Sequence, residues 1–330
     1  VSRFRDCFDL AKSLPYFTIK DRRIQLREKR PAIDMHAHLG FSFLLAGKID
    51  LLKAGETEHE FPEHGIPIDL DLYSGANAAE HLRKEWHNAT LKMAFGSRRS
   101  TTHTIPNMLE EMDRFGIRKS VAAAVDMPLF FNNTKNYLDH KEKTDRLVFF
   151  CCINPINIGW KKEMADAVKR GAKGLKIHPY VLLSRPEQSL QMSLIREWSK
   201  YKLPILFHCG HCGIEPSFTR KWLDVEGYER PLREFPDTKF MLGHAGSGYH
   251  TQAIALAKRY PNAYLELSGQ SPKSIREIIA SVDNRRILYG SDWPYYSQTI
   301  PMAKFLIATE GDDIVRSMIL HDNAVALLSC

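Results

Sequence analysis

The chain has 330 residues, 44% of them hydrophobic and 26% charged, a soluble globular composition with enough apolar material for a large core. No run of about 18 apolar residues occurs, so no transmembrane helix and no membrane partner are expected. The net charge of +7 is moderate and scattered, which argues against a nucleic-acid surface and is compatible with an anionic small-molecule substrate.

Residues 1–31 read as a helical N-terminal extension. The opening "VSRFRDCFDLAKSLPYF" carries charges throughout and does not read as a signal peptide. The densest basic run, "KDRRIQLREKR" (20–30), is diluted by acidic residues and reads as a solvated surface helix. Eight short apolar or β-branched runs follow: "AIDMHAHLG" (32–40), "KSVAAAVDMP" (119–128), "RLVFFCCINP" (146–155), "GLKIHPY" (174–180), "LPILFHCG" (203–210), "KFMLGHAG" (239–246), "AYLELSG" (263–269) and "RILYGSDWP" (286–294). Between them lie segments of helical period, among them "IPNMLEEMDRFG", "GWKKEMADAVKRGA", "QMSLIREWSKY", "YHTQAIALAKRY" and "SPKSIREIIASV". "GDDIVRSMILHDNAVALLS" reads as closing helices.

Alternation at this count, with near-continuous apolar strands, predicts an α/β fold, a (β/α)8 TIM barrel over residues 32–330. No GxGxxG follows the first strand, which removes the dinucleotide-binding alternative. Only 105–116 is needed to cross from the first strand to the second. Residues 41–104 are therefore a long insertion after strand 1, placed over the barrel mouth as a lid or specificity element. The six cysteines, two of them adjacent within an apolar run, do not form a disulfide framework, so a reducing, cytoplasmic setting is expected.

In such a barrel, chemistry sits at the C-terminal strand ends. Strand alternation puts Asp34, His36 and His38 on one face, so the His-x-His pair can present two imidazoles to one cation. The fifth strand ends in His208, the sixth in His244 and the eighth in Asp292, so metal-type ligands converge on one rim. Neutral imidazoles with one carboxylate suit Zn2+, with Mn2+ as the alternative. His178 lies at the mouth beside Lys176. Tyr180, Tyr249, Trp293 and Tyr295 fall just past strand ends, where they can line a pocket. Ser268 faces the same way as Glu266. The insertion's histidines, His59, His64, His81, His87 and His103, read mostly as surface or lid residues. Cys209-x-x-Cys212 has no second CxxC to complete a structural zinc site, and alternation turns Cys209 away from the barrel interior.

The motifs "DMHAHLG", "GLKIHP", "LFHCG", "LGHAG" and "LYGSDWP", in that order on those strands, resemble the amidohydrolase superfamily. The match is to its amidohydrolase-2 branch, which includes metal-dependent hydrolases, hydratases and decarboxylases of the aminocarboxymuconate semialdehyde decarboxylase type. The resemblance implies that His36, His38, His208 and Asp292 hold one divalent ion, with a second ion not expected. It implies that His244 acts on substrate or water and that Asp292 moves the water's proton. The implied activity is water activation to cleave an amide, ester or lactone of a small organic substrate, anionic or aromatic in character. Non-oxidative decarboxylation of an aromatic or unsaturated carboxylic acid is the alternative, and Arg185 or Arg220 would then meet the carboxylate. Of the strand-four residues, Lys176 is expected to be a buried lysine paired with Asp34 or Glu266, and His178 to contact substrate. A homo-oligomer is implied by the resemblance alone.

Overall fold

The computed structural model describes residues 2–40, 49–77, 99–126, 132–211 and 217–328. Its centre is an eight-stranded parallel sheet whose spatial order follows the chain: β1 (Ala32–Ala37), β2 (Ile117–Ala123), β3 (Leu147–Cys151), β4 (Gly174–Ile177), β5 (Ile205–His208), β6 (Phe240–Gly243), β7 (Ala263–Glu266) and β8 (Ile287–Leu288). The seam between β1 and β8 is closed by a parallel bridge, Ala37 to Trp293, and by backbone bonds from Met35 N to Tyr289 O (2.9 Å) and Asp292 N to His36 O (2.7 Å). All eight expected strands are present and pair in order, and the fold is a TIM barrel. Helices Ile105–Phe115, Trp160–Lys169, Ser189–Trp198, His250–Arg259 and Pro272–Ser281 cover it, each where the 3.6-residue period placed one. Asp313–Ser317 and Asn323–Leu328 close the chain.

Two apolar clusters fill the barrel's two compartments. The inner one holds Ile33, Met35, Val121, Ala123, Phe150, Leu206, Met241 and Leu288, capped by Ala324 and Leu327 of the last helix. The outer one lies between strands and helices and includes Ala32, Ala37, Phe207, Leu242, Leu265 and Ile287. Residues two apart on β5 therefore share the interior, and Leu206 lies below His208. On β1 that rule fails. The register of β1 against β2 shifts between Asp34 and Ala37, which breaks the strict alternation. Ile33 and Met35 face the inner cluster, while Asp34 bonds to Ser291 and Gln298 beside the seam. Asp34 thus does not share a face with His36 and His38 as alternation predicted; the irregularity re-aims the histidines into the mouth.

The N-terminal extension contains the expected helix, Cys7–Ser13, with Asp6 as its N-cap. The basic run at 20–30 is not a helix. Phe17–Lys20 pairs antiparallel with Arg23–Leu26, through a two-residue turn in which Asp21 and Arg22 have φ of 50° and 62°. "RIQL" alternates in burial with period two, and the charges of Lys20 and Arg23 lie on exposed positions. Strand pairing overrides the helical propensity of the Lys, Arg and Glu residues. The helix Thr299–Ala308 was not visible as a period because Thr299 through Leu306 are all buried.

The described part of the insertion binds both the barrel and the extension. Ile68–Asp69 pairs with Arg3–Phe4, Phe61 N donates to Tyr295 O (2.8 Å), and Ser74 N donates to Gly269 O (2.8 Å). His59 and His103, expected mostly as surface or lid residues, are 5% and 1% exposed. His64 stacks on Phe8, and His81 and His87 lie outside the described residues. The four described cysteines, Cys7, Cys151, Cys152 and Cys209, are buried free thiols.

Candidate metal centre

His36 and His38 leave β1 where its register shifts, and Asp292 follows β8 across the seam. Asp292 takes a left-handed φ of 62°, and His244, just past β6, one of 57°. Non-glycine residues pay about 1–3 kcal/mol for such conformations, which persist only where the surroundings fix them. Close approach of β8 needs Gly290: a Cβ there would collide with the Glu266 carboxylate and crowd the His36 side chain. The strands are thereby drawn together until the Nε2 atoms of His36 and His38 lie 3.9 and 3.4 Å from Asp292 Oδ1. All three ligand atoms fall within 4.8 Å of one another.

The tautomers follow from the partners. His38 Nδ1 is 2.7 Å from the Ala123 carbonyl oxygen, which can only accept, so Nδ1 carries the proton. His36 Nδ1 likewise donates to Glu266 Oε2 at 2.6 Å. Ser268 Oγ donates to the same Glu266 oxygen (2.8 Å) and so accepts from His244 Nδ1 (2.8 Å). His244 Nε2, left with a lone pair, accepts from His208 Nδ1 at 3.1 Å. His36 and His208, which burial keeps neutral, therefore keep an unprotonated Nε2. His38 Nε2 and Asp292 Oδ1, 3.4 Å apart with His36 Nε2 beside them, form a donor group that one cation can bridge. Nitrogen and oxygen donors of this kind fit Zn2+ or Mn2+, and hydrogen-bonded Nδ1 atoms are the usual outer support of metal-binding histidines.

The electrostatics agree. Burial, with the nearby Lys176 ammonium, pushes His36 well below the usual imidazole range; burial and neighbouring cationic groups do the same to His178 and His208. These rings are neutral, as metal ligation requires. Burial alone would raise Asp292, but His244, His38 and His36 outweigh it and hold the carboxyl well below the ordinary range. Burial raises Glu266.

Of the residues expected at the site, His36, His38 and Asp292 form one group. His208 and His244 adjoin it: the His36 and His244 ring centroids are 4.8 Å apart, those of His208 and His244 4.7 Å. His208 does not lie within 4.8 Å of the whole ligand group. His178 stacks on His208 at 4.0 Å, and its Nδ1 is buried without a partner. Tyr180 is half-buried, with its ring 6.1 Å from that of His178. Tyr295 stands edge-on to His38 at 6.1 Å, and Tyr249 lies out at the rim against His211. Trp293 is 1% exposed and supports the loop from behind, its indole N–H donating to Glu111. Arg220 is exposed, and Arg185 pairs with Glu187. Cys209 is buried in the outer cluster, and Cys212 lies outside the described residues.

Two residues do more than the sequence suggested. Lys176 Nζ lies 2.7 Å from His36 Nε2, where a partnership with Asp34 or Glu266 was expected. Glu266 instead organises the site, accepting from His36, Ser268 and the His244 backbone N–H. A charged residue inside the apolar run "AYLELSG", two before Ser268, was the available signal.

The family model described as "Amidohydrolase" matches residues 33–329. No curated protein matches the chain. Among solved structures, an uncharacterised TIM-barrel protein from Bordetella bronchiseptica aligns over 91% of this chain and 99% of its own, at 16% identity and a TM-score of 0.64. A probable 2-pyrone-4,6-dicarboxylic acid hydrolase from Acinetobacter baumannii, with citric acid bound, aligns over 91% and 99%, at 14% identity and a TM-score of 0.57. A 5-carboxyvanillate decarboxylase from Novosphingobium aromaticivorans, complexed with manganese and 4-hydroxy-3-methoxy-5-nitrobenzoic acid, aligns over 92% and 97%, at 15% identity and a TM-score of 0.58. At these identities the likeness is one of fold.

Proposed function

Because the chain belongs to the amidohydrolase family, we propose that it is a metal-dependent hydrolase that cleaves an amide, ester or lactone of a small organic acid. The observation that carries this reading is the convergence of His36 Nε2, His38 Nε2 and Asp292 Oδ1 within 4.8 Å of one another, with both Nδ1 atoms locked as donors. A single divalent ion held by His36, His38, Asp292 and His208, Zn2+ in preference to Mn2+, would supply a Lewis acid and make water acidic near neutral pH. Asp292, kept ionised by its histidine neighbours, accepts the proton of the attacking water and passes it to the leaving group. His244, with Nδ1 fixed by Ser268, presents Nε2 at the reacting centre and orients the substrate or the water. His178 offers its unpartnered Nδ1 to the substrate, and Tyr180 flanks it with aromatic surface.

One observation favours the decarboxylase reading. Neither Arg185 nor Arg220 is buried, but Lys176 is a buried cation at the centre, suited to a substrate carboxylate. The 5-carboxyvanillate decarboxylase and the pyrone-dicarboxylate hydrolase with this fold both carry names of carboxylic acid substrates. Metal analysis of purified protein, followed by assay of aromatic and pyrone carboxylates for ring opening or acid release and for CO2, separates the two. Stoichiometric divalent metal, hydrolytic product and loss of both in His36→Ala are expected. CO2 as product replaces hydrolysis with decarboxylation; metal-free protein with full activity removes both.

A further inference from the structure

Behind Asp292 lies a buried polar network that the chemistry above does not use. Asp292 has a left-handed φ of 62°, which aspartate tolerates better than most residues but which still costs energy, so the contacts that hold it in place matter. On one side, Ser291 N donates to Asp34 Oδ1 at 2.9 Å, and Ser291 Oγ bonds to Asp34 Oδ2. On the other, the Trp293 indole N–H donates to Glu111 Oε2 at 2.9 Å. The Trp293 carbonyl accepts the His38 backbone N–H at 2.6 Å, so this one residue touches both strands that carry ligands.

Glu111 comes from the helix Ile105–Phe115, in the outer layer, and is 1% exposed. Its Oε1 accepts the Gln298 backbone N–H at 2.7 Å, and Gln298 in turn donates to Asp34 at 2.8 Å. His59 of the insertion and Arg114 lie 2.9 and 3.6 Å from Oε2 and supply the positive charge that a buried carboxylate needs. A leucine or methionine would fill this place on an ordinary barrel helix without that cost. The carboxylate is aimed at the residue that follows Asp292.

We propose that Glu111 is a positioning residue for the metal centre, holding Asp292 and His38 in register through the Trp293 indole. The inference rests on Asp292 being a ligand, as proposed above. Glu111 touches neither ion nor substrate; it fixes where the ligands stand.

The test is a titration of metal-stripped protein with Zn2+ in competition with a coloured chelator. It compares wild type with Glu111→Gln, Trp293→Phe, the double variant and Asp292→Asn. Trp293→Phe keeps a smaller aromatic filling and removes the donor while leaving Glu111 in place, so it decides the question if Glu111→Gln fails to fold. Each single variant is expected to weaken Zn2+ binding about 10- to 100-fold, the usual effect of losing an outer partner of a ligand. The double variant is expected to lose no more than the worse single one, because both remove the same link. Wild-type affinity in Trp293→Phe, or a double-variant loss equal to the product of the two single ones, overturns the proposal. Wild-type affinity in Asp292→Asn shows instead that Asp292 is no ligand, and the positioning role falls with it.

Discussion

Asp126 stands three residues beyond the end of β2 and is 4% exposed. Its Oδ2 accepts from Thr134 Oγ1 at 2.6 Å, and Thr134 Oγ1 accepts the Cys152 N–H at 2.8 Å, so one carboxyl ties the ends of β2 and β3 together. Burial outweighs these hydrogen bonds and raises its pKa from 3.8 to about 7. The sign follows directly. The folded state holds the proton more tightly than the unfolded chain, so this contribution is fully present below pH 4 and is lost as pH rises to about 7. At full size the shift is worth about 4 kcal/mol, an upper bound. Asp126→Asn is expected to remove the dependence: its melting temperature relative to wild type should climb between pH 4 and 7 and level off above. A constant difference across that range would show that the carboxyl titrates normally. At this scale the sequence was most legible where residue type and strand end coincide, as in His36, His38, His244 and Asp292. It was silent on Glu111 and misleading on Asp34, because a partner across the fold and a register shift leave no mark on local spacing.

Lys304 belongs to the helix Thr299–Ala308, whose all-round burial hid it from any periodicity argument. Its ammonium donates to Leu72 O (2.7 Å), Ser74 Oγ (2.9 Å) and Gly269 O (3.3 Å). It thereby fastens the insertion to the loop after β7. Burial lowers its pKa to about 7, against the pull of Asp69 and Asp71, so the fastener is costly to keep charged. Lys304→Met removes three hydrogen bonds at once and takes from the Leu72 carbonyl its ammonium donor, worth about 1–3 kcal/mol if it stays buried, while Gly269 O keeps the Ser74 N–H. The cheaper outcome is release of the strap into water. Hydrogen exchange of amides in 70–77 is then expected to accelerate tenfold or more, with β1–β8 unchanged. Unchanged protection at 70–77 would mean that Lys304 is not what holds the segment. Elements read correctly from sequence were those with an unambiguous period: parallel strands as apolar runs and one-sided helices at 3.6. The hairpin at 17–26 was misread because charge density masked its alternation, and a two-residue turn in the left-handed region carries neither Gly nor Asn as a flag.

At the scale of the whole barrel, the weakest closure and the candidate metal centre coincide. β8 is only Ile287–Leu288, and it meets β1 through a single bridge and a few backbone bonds, whereas β2 pairs with β1 over most of its length. The proposed ligands straddle that seam, with His36 and His38 on or just past β1 and Asp292 past β8. An ion held there joins the first and last strands, and so favours only the closed barrel. Its binding free energy then adds to stability as RT ln(1 + [L]/Kd), about 2.7 kcal/mol at a hundredfold excess over Kd. For a chain of 330 residues that corresponds to a rise of about 4 °C in melting temperature. Chelator-treated protein should therefore melt lower than protein given Zn2+ or Mn2+, and His36→Ala should melt at one temperature in both conditions. Hydrogen exchange should localise the gain to β1, β8 and the loop at 289–296, because those are the segments the ion would tie. A melting temperature indifferent to chelator and to metal in the wild type would separate the seam from any ion and leave the histidine cluster without its proposed role.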